Sequence, residues 1–491
     1  ANEYKDTTPT DAEDGDPLKQ YYSYWIELDL LLPATLSRFE DHNQAEQGVS
    51  TFASVLTGGA PHKNVGALQV NSVGDGGGAV SLAPSEGGRA STAPNLIVAP
   101  GTNTAWEYDE ASNAWSAREG VTKLVDGTDA AYDPTDPLRA LPTDTNRVVQ
   151  VGDLNGDTFD DLAICTQHGV YLLLSDTSAN TYQPPVLLSD ESDNVVNVAV
   201  LNYDDDLSRD IVVITGSGSP NKLYLGNPDD LTMTNLGVAG MGGLRSVPLG
   251  GASNAKDSTS VALLDTDGNG KDDSFLVTNK GAKDELYLQG DLATPIEVGD
   301  ATDTLDVDAA RLDPTQDATT AASLLTVVLA KDGVDKYMEI PSGTYSAGAP
   351  PTTTLTDVPG ATNVRTHTVK FQTVPAGVYA GPDARAHLYS GHDQASSDPA
   401  NPLGTYHHNP GTAGTTLATI GAATAIHSGA TSAKHPTLIG TTMEVATLKT
   451  GQPPSAVFGT AGGVQMVVTQ HDPATNPAST TYATPNYDGT T

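Results

Sequence analysis

The sequence predicts an all-β chain, a β-propeller of about seven four-stranded blades. An acidic loop recurs at blade spacing, paired strand-like runs follow each copy, and turn formers dominate the composition. The first copy is DLNGDTFDD at 153–161, which alternates acids and an amide before an apolar run. It returns as NYDDDLSRD at 202–210 and DTDGNGKDD at 265–273. The copies start 49 and 63 residues apart, the size of one four-stranded blade. Each is followed by a strand-like run, a turn and a second short strand: Val170-Tyr171-Leu172, Leu223-Tyr224-Leu225 and Leu286-Tyr287-Leu288.

Weaker units extend the series. AARLDPTQD at 309–317 precedes runs at 324–329 and 336–338. VATLKTGQPPSAVF at 445–458 aligns with the first copy, but Thr447, Lys449, Gly451 and Ser455 stand where ligand-type residues would be. Segments 95–108 and 377–389 read as hairpins without a loop signature, which completes seven units. Gly, Thr, Ala, Asp and Pro are abundant, and aromatics make up 5% of the chain; this favours short strands and turns over long helices. The predicted organisation is an N-terminal extension over 1–60, with a helix over about 35–56. A propeller follows over 61–472, with long loops inserted at 391–436, and then a tail over 473–491.

The 491 residues carry a net charge of −37, which disfavours nucleic acid and anionic membranes as partners. The charge is uneven: residues 341–491 hold 7 acids and 5 bases, net −2, leaving −35 for residues 1–340. A single cysteine, Cys165, rules out an internal disulfide, and its apolar run marks it as a small core residue. No apolar stretch is long enough to span a bilayer. The chain begins with Ala1, as expected of a secreted protein after processing. It contains no N-x-S/T sequon, so N-linked glycans are not expected.

In an extended loop, side chains at positions 1, 3 and 5 can curl toward one point, with a carbonyl at 7 and a carboxylate at 9 to close the shell. Calcium takes six to eight such oxygens and tolerates irregular geometry. The first site would use Asp153, Asn155, Asp157, the Phe159 carbonyl and Asp161. The second would use Asn202, Asp204, Asp206, the Ser208 carbonyl and Asp210. The third would use Asp265, Asp267, Asn269, the Lys271 carbonyl and Asp273. An EF-hand would need Glu at position 12, where this chain has Ile164, Val213 and Leu276. About three structural calcium ions are therefore expected, and none at the loop carrying Lys449.

This pattern resembles the FG-GAP/VCBS repeat of integrin-α-type β-propellers. The likeness is strong over 148–290, moderate over 306–340 and 443–470, and absent over 1–60 and 391–436. It implies a calcium-binding propeller in an extracellular or cell-surface place. It leaves function open, since the family includes adhesion receptors, lectin-like modules and propeller lyases.

Eight of the eleven histidines fall at His367, His387, His392, His407, His408, His427, His435 and His471, without a diagnostic metal spacing. A polysaccharide lyase would draw on Arg385, His387, Tyr389 and His407, although the acidic field would repel a uronate polymer. Pro/Thr clusters at 350–354 and 473–482 suit O-glycosylation or simple loops. The stretch YYSYWIELDLLL at 21–32 alternates like a half-buried strand outside the repeats, fit to dock on its own propeller or on a neighbouring subunit. The expectation is a non-catalytic subunit of a surface appendage or fibril, assembling as a homo-oligomer or filament through residues 1–32. The alternatives are a carbohydrate-binding adhesin or lectin-like propeller and, third, a polysaccharide lyase.

Overall fold

The fold was obtained as a computed structural model. It describes strand segments within residues 81–188, most of 195–226, 245–361 and 365–374, and segments within 385–426 and 440–483. The expected extension over 1–60, with its helix and the strand at 21–32, lies outside the described residues.

Among the described residues the chain forms seven four-stranded antiparallel sheets, each running through its strands in sequence order. The first holds β1 (Ser81–Ala83), β2 (Leu96–Ala99), β3 (Thr104–Asp109) and β4 (Ala114–Ala117). The second holds β5 (Val148–Gly152), β6 (Asp161–Thr166), β7 (Gly169–Leu173) and β10 (Val186–Leu187). A two-stranded ribbon of β8 (Ser175–Asp176) and β9 (Thr181–Tyr182) interrupts it. The third is β11 (Val195–Leu201), β12 (Asp210–Thr215), β13 (Lys222–Leu225) and β14 (Arg245–Pro248). The fourth is β15 (Asp257–Leu264), β16 (Ser274–Lys280), β17 (Asp284–Leu288) and β18 (Asp291–Val298). The fifth is β19 (Thr304–Arg311), β20 (Leu324–Lys331), β21 (Lys336–Pro341) and the two-residue β22 (Thr356–Asp357). The sixth is β23 (Thr366–Val374), β24 (Arg385–His392), β25 (Gly404–His407) and β26 (Thr424–Ile426). The seventh is β27 (Gly440–Ala446), β28 (Ser455–Thr460), β29 (Gly463–Asp472) and β30 (Asn476–Ala483).

Two boundaries differ from the sequence reading. Segment 391–436 is not only loop, because it supplies β25 and β26 to the sixth sheet. Residues 473–491 are not only tail, because β30 pairs along β29. The hairpin placed over 377–389 contributes β24 from Arg385 onward, and residues 377–384 lie outside the described residues. Short Thr- and His-rich strands carry little apolar signal, which is why the composition hid them.

The core lies between neighbouring sheets, and period-two alternation builds it. Along β12, Ile211 and Val213 pack with Ala163, Val170 and Val198 on one side. Val212 and Ile214 pack with Phe275, Val277 and Tyr287 on the other. On β20, Leu325, Val327 and Leu329 face the fourth sheet, while Val328 and Ala330 face the sixth. Burial on both faces explains why these strands read as continuous apolar runs rather than alternating ones.

The first strands of successive sheets lie side by side from β1 through β5, β11, β15, β19 and β23 to β27. Those of the last five sheets share a bulge near their start, at Val195/Asn197, Ser258/Ser260, Thr304/Asp306, Thr366/Thr368 and Gly440/Thr442. The residue after each bulge is polar, and three of them link across sheets. Asn197 Nδ2 donates to Ser260 Oγ at 3.1 Å, and Ser260 Oγ donates to Asp306 Oδ1 at 2.7 Å. Asp306 Oδ2 then accepts the Val369 amide at 3.1 Å, and Asp308 Oδ2 accepts that of Phe371 at 2.7 Å. Carboxylates of one sheet thus occupy amides on the free edge of the next sheet's first strand, where an unpaired edge would otherwise be exposed.

Candidate functional site

All three acidic loops occupy the same place, the connection from first to second strand: β5 to β6, β11 to β12 and β15 to β16. The degenerate copy with Lys449 sits equivalently between β27 and β28. Of the fifteen expected ligands, Asp161 opens β6, and Asp210, Asp265, Asp267 and Asn269 are described with their side chains. Asp153, Asn155, Asp157, Phe159, Asn202, Asp204, Asp206, Ser208, Lys271 and Asp273 lie outside the described residues. Among the described residues no three His, Cys, Asp or Glu side chains are grouped as metal ligands.

Asp210, the ninth residue of its loop, is fully buried. One carboxylate oxygen accepts the Tyr203 amide at 2.6 Å and the other the Gly226 amide at 2.9 Å, so it ties the loop to the end of β13. The Tyr203 hydroxyl donates to the Leu288 carbonyl at 3.0 Å, and burial pushes its pKa up to about 12. In the third loop, Asp265 Oδ1 accepts the Gly268 amide at 2.7 Å. Asp267 accepts the Asn269 amide at 2.9 Å and its side-chain Nδ2 at 3.0 Å. Short polar side chains thus satisfy the loop's own backbone, as Asx residues do in turns.

The third loop is also laced to the fifth sheet. Arg311, at the end of β19, donates to the Asp265 carbonyl at 2.6 Å and lies 4.0 Å from its carboxylate. The same guanidinium donates to Ser342 Oγ at 2.7 Å and Ser323 Oγ at 3.2 Å. Gly268 has φ +79°, and a Cβ there would stand 1.9 Å from the Ala318 carbonyl oxygen. In the fourth loop, partial burial works against ionisation of Asp313, but hydrogen bonds from Thr315 and the Gly414 amide hold its pKa below the usual value. Each of these two loops therefore grips the following sheet. Arg311 was legible only as part of the 309–317 echo; a lone Arg before a loop carries no spacing signal.

A second repeated feature escaped the sequence reading altogether. In the third, fourth and fifth sheets, one Asx residue at or just before the start of the third strand caps the end of the second strand and reaches the next sheet. Asn221 Oδ1 accepts the Thr215 amide at 2.8 Å, and its Nδ2 donates to Ser258 Oγ at 2.8 Å. Asp284 accepts the Asn279 amide at 2.9 Å and the Thr304 hydroxyl at 2.8 Å. Asp335 accepts the Lys331 amide at 3.1 Å and the Thr366 hydroxyl at 2.8 Å. Burial pushes the carboxyl of Asp284 up to about 6 against the pull of Lys331, and that of Asp335 up to about 7.

The sixth sheet brings several histidines together. His367, His387 and Tyr406 are fully buried, and His392 and His407 nearly so. Tyr406 Oη lies 2.8 Å from His387 Nδ1 and 3.1 Å from His408 Nδ1, and the Asn409 amide donates to His387 Nδ1 at 3.2 Å. Because that amide can only donate, it points to an accepting His387 Nδ1 with the proton on Nε2. Tyr406 then donates to His387 and accepts from His408 Nδ1–H. Asn409 anchors the cluster to the fifth sheet through the Leu312 carbonyl at 2.7 Å. Burial lowers the pKa of His392 to about 4, with His407 adding to the effect.

Of the residues a lyase would use, His387, Tyr389 and His407 are buried, and the side chain of Arg385 lies outside the described residues. A base acting on a polymer must reach it, so this burial favours a packing role. His427 and His435 lie outside the described residues, as does the side chain of His471. No helix of the described residues is long and apolar enough to cross a membrane.

No family model matches the chain, and no curated protein sequence does. Among solved structures it is similar to an Agrocybe aegerita protein whose structure concerns recognition of non-reducing terminal N-acetylglucosamine. That match has 12% identity and a TM-score of 0.46, covering 83% of this chain and 92% of that one. It is also similar to BBS1N in complex with ARL6DN, at 12% identity and TM-score 0.40, covering 83% and 91%. For the Dos1 propeller the values are 11% and 0.39, covering 76% and 74%. Likeness at this level assigns no function.

Proposed function

We propose that the chain is a calcium-stabilised β-propeller of the FG-GAP/VCBS type, whose seven sheets close into a ring of seven blades. Its role is structural and non-catalytic: a self-assembling subunit of an extracellular or cell-surface appendage or fibril. The observation that carries the reading is the common position of the three acidic loops, each between the first and second strand of its sheet. An ion held there would neutralise clustered carboxylates and stiffen the loop that meets the next sheet. Extracellular solvent supplies calcium at the level that weak loop sites of this kind require. The assembly element is the strand-like stretch 21–32, which would add to a sheet edge of a neighbouring copy.

Electron microscopy of the protein in calcium, with and without a chelator and with residues 1–32 deleted, tests the proposal. Filaments that disappear on deletion are the expected result. Dispersed monomers under calcium would overturn the assembly reading. A monomer that keeps a saturable glycan ligand after the deletion would instead favour an adhesin.

A further inference from the structure

We propose that Asp335 is a proton-operated latch between the fifth and sixth sheets, closed when its carboxyl is neutral and weakened when it ionises. Asp335 stands apart from the acidic loops, which lie at the other ends of the strands.

Three equivalent seams differ in what occupies this position. Where the third sheet meets the fourth, it is the neutral amide Asn221. Where the fourth meets the fifth, it is the carboxylate Asp284, with the buried Lys331 ammonium 3.5 Å away. Where the fifth meets the sixth, Asp335 has an amide on one oxygen and a hydroxyl on the other, and no cation within ion-pair distance among the described residues. Its residue is 5% exposed. A buried carboxylate held only by neutral donors favours its protonated form, which asks nothing of missing solvent.

The two lysines of its own hairpin are engaged elsewhere. In its own hairpin, Lys331 turns its ammonium to Asp284 and to Thr304 Oγ1 at 2.6 Å, and Lys336 pairs with Asp357 of β22. On the sixth sheet, Arg365 precedes Thr366 and buried His367 follows it. His392, the ladder partner of Thr366, is held neutral by burial. Burial dominates the shift of Asp335.

The sign follows. A carboxyl whose folded pKa is raised to about 7 from an unfolded 3.8 binds a proton on folding. The seam is strongest below the unfolded value and weakens as pH rises through about 7. Between pH 5 and pH 8 this group alone changes the opening equilibrium by on the order of tens of fold.

The test is hydrogen exchange at the Lys331 amide, which Asp335 caps, together with urea unfolding, at pH 5 and pH 8 in the full chain. Asp335→Asn copies the native Asn221 arrangement. It is expected to match wild type at pH 5 and to be more protected at pH 8, removing tens of fold of pH dependence. Asp284 and Asp306 are common to both proteins, so the difference isolates Asp335. The reciprocal Asn221→Asp is expected to add a pH dependence of the same sign at the Thr215 amide. Equal pH dependence in wild type and Asp335→Asn would overturn the proposal. Should Asp335→Asn fail to fold, an Asn221→Asp protein with unchanged pH dependence would overturn it as well.

Discussion

Replacing Gly268 by Ala separates the two demands placed on the third acidic loop. Its φ of +79° is a left-handed conformation, which costs an L-residue roughly 1–2 kcal/mol. The added Cβ would also stand 1.9 Å from the Ala318 carbonyl oxygen and 2.3 Å from its carbon. These are backbone atoms, so no rotamer change relieves the overlap, and the two loops must move apart at about 1–3 kcal/mol. The sum is a loss of about 2–5 kcal/mol, read by urea denaturation at fixed calcium. Gly281 supplies the control: its φ is +64°, and a Cβ added there would meet nothing within 4 Å. Gly281→Ala should cost only the backbone share, about 1–2 kcal/mol. Equal losses in the two variants would refute the close packing of loop 265–273 against the fifth sheet.

Other outcomes follow from the same geometry. Lys331→Met strands the buried Asp284 carboxylate and is expected to cost about 3 kcal/mol at pH 8. Because the folded pKa of Asp284 is already raised to about 6, its protonated form needs no cation, so the loss should shrink at pH 5 in denaturant titrations. Tyr406→Phe removes the hydroxyl shared by two imidazoles and should cost about 1–3 kcal/mol in thermal or urea unfolding. In the unsubstituted protein, nitrogen NMR should find His387 as the Nε2–H tautomer; an Nδ1–H signal would contradict the cluster.

The strands that carry the core were legible because they are buried on both faces. Val212-Val213-Ile214 and Leu325 to Leu329 read directly as buried strands, and the acidic loops marked where each begins. The spacing showed loop, strand, turn and strand in that order; that β5, β11 and β15 precede the loops within the same sheets came from the strand pairing. Much of the sixth sheet was not legible: β23 and β25 mix Thr, His, Gln and Tyr with few apolar residues, and several of these polar side chains are buried. Asp335 and Asn221 were invisible for a related reason, since a single Asx in a turn is ordinary until its bond to the next sheet is seen. Arg311 likewise gains meaning only from the loop it faces, 46 residues away in sequence.

Whether the acidic loops are calcium clips is tested most directly by equilibrium dialysis with metal analysis. In calcium-containing buffer the chain is expected to retain about three calcium ions, one for each of the loops 153–161, 202–210 and 265–273. The combined substitution of Asp153 and Asp157 by Ala should lower the count by one. Retention of no calcium, or a count unchanged by those substitutions, would contradict it.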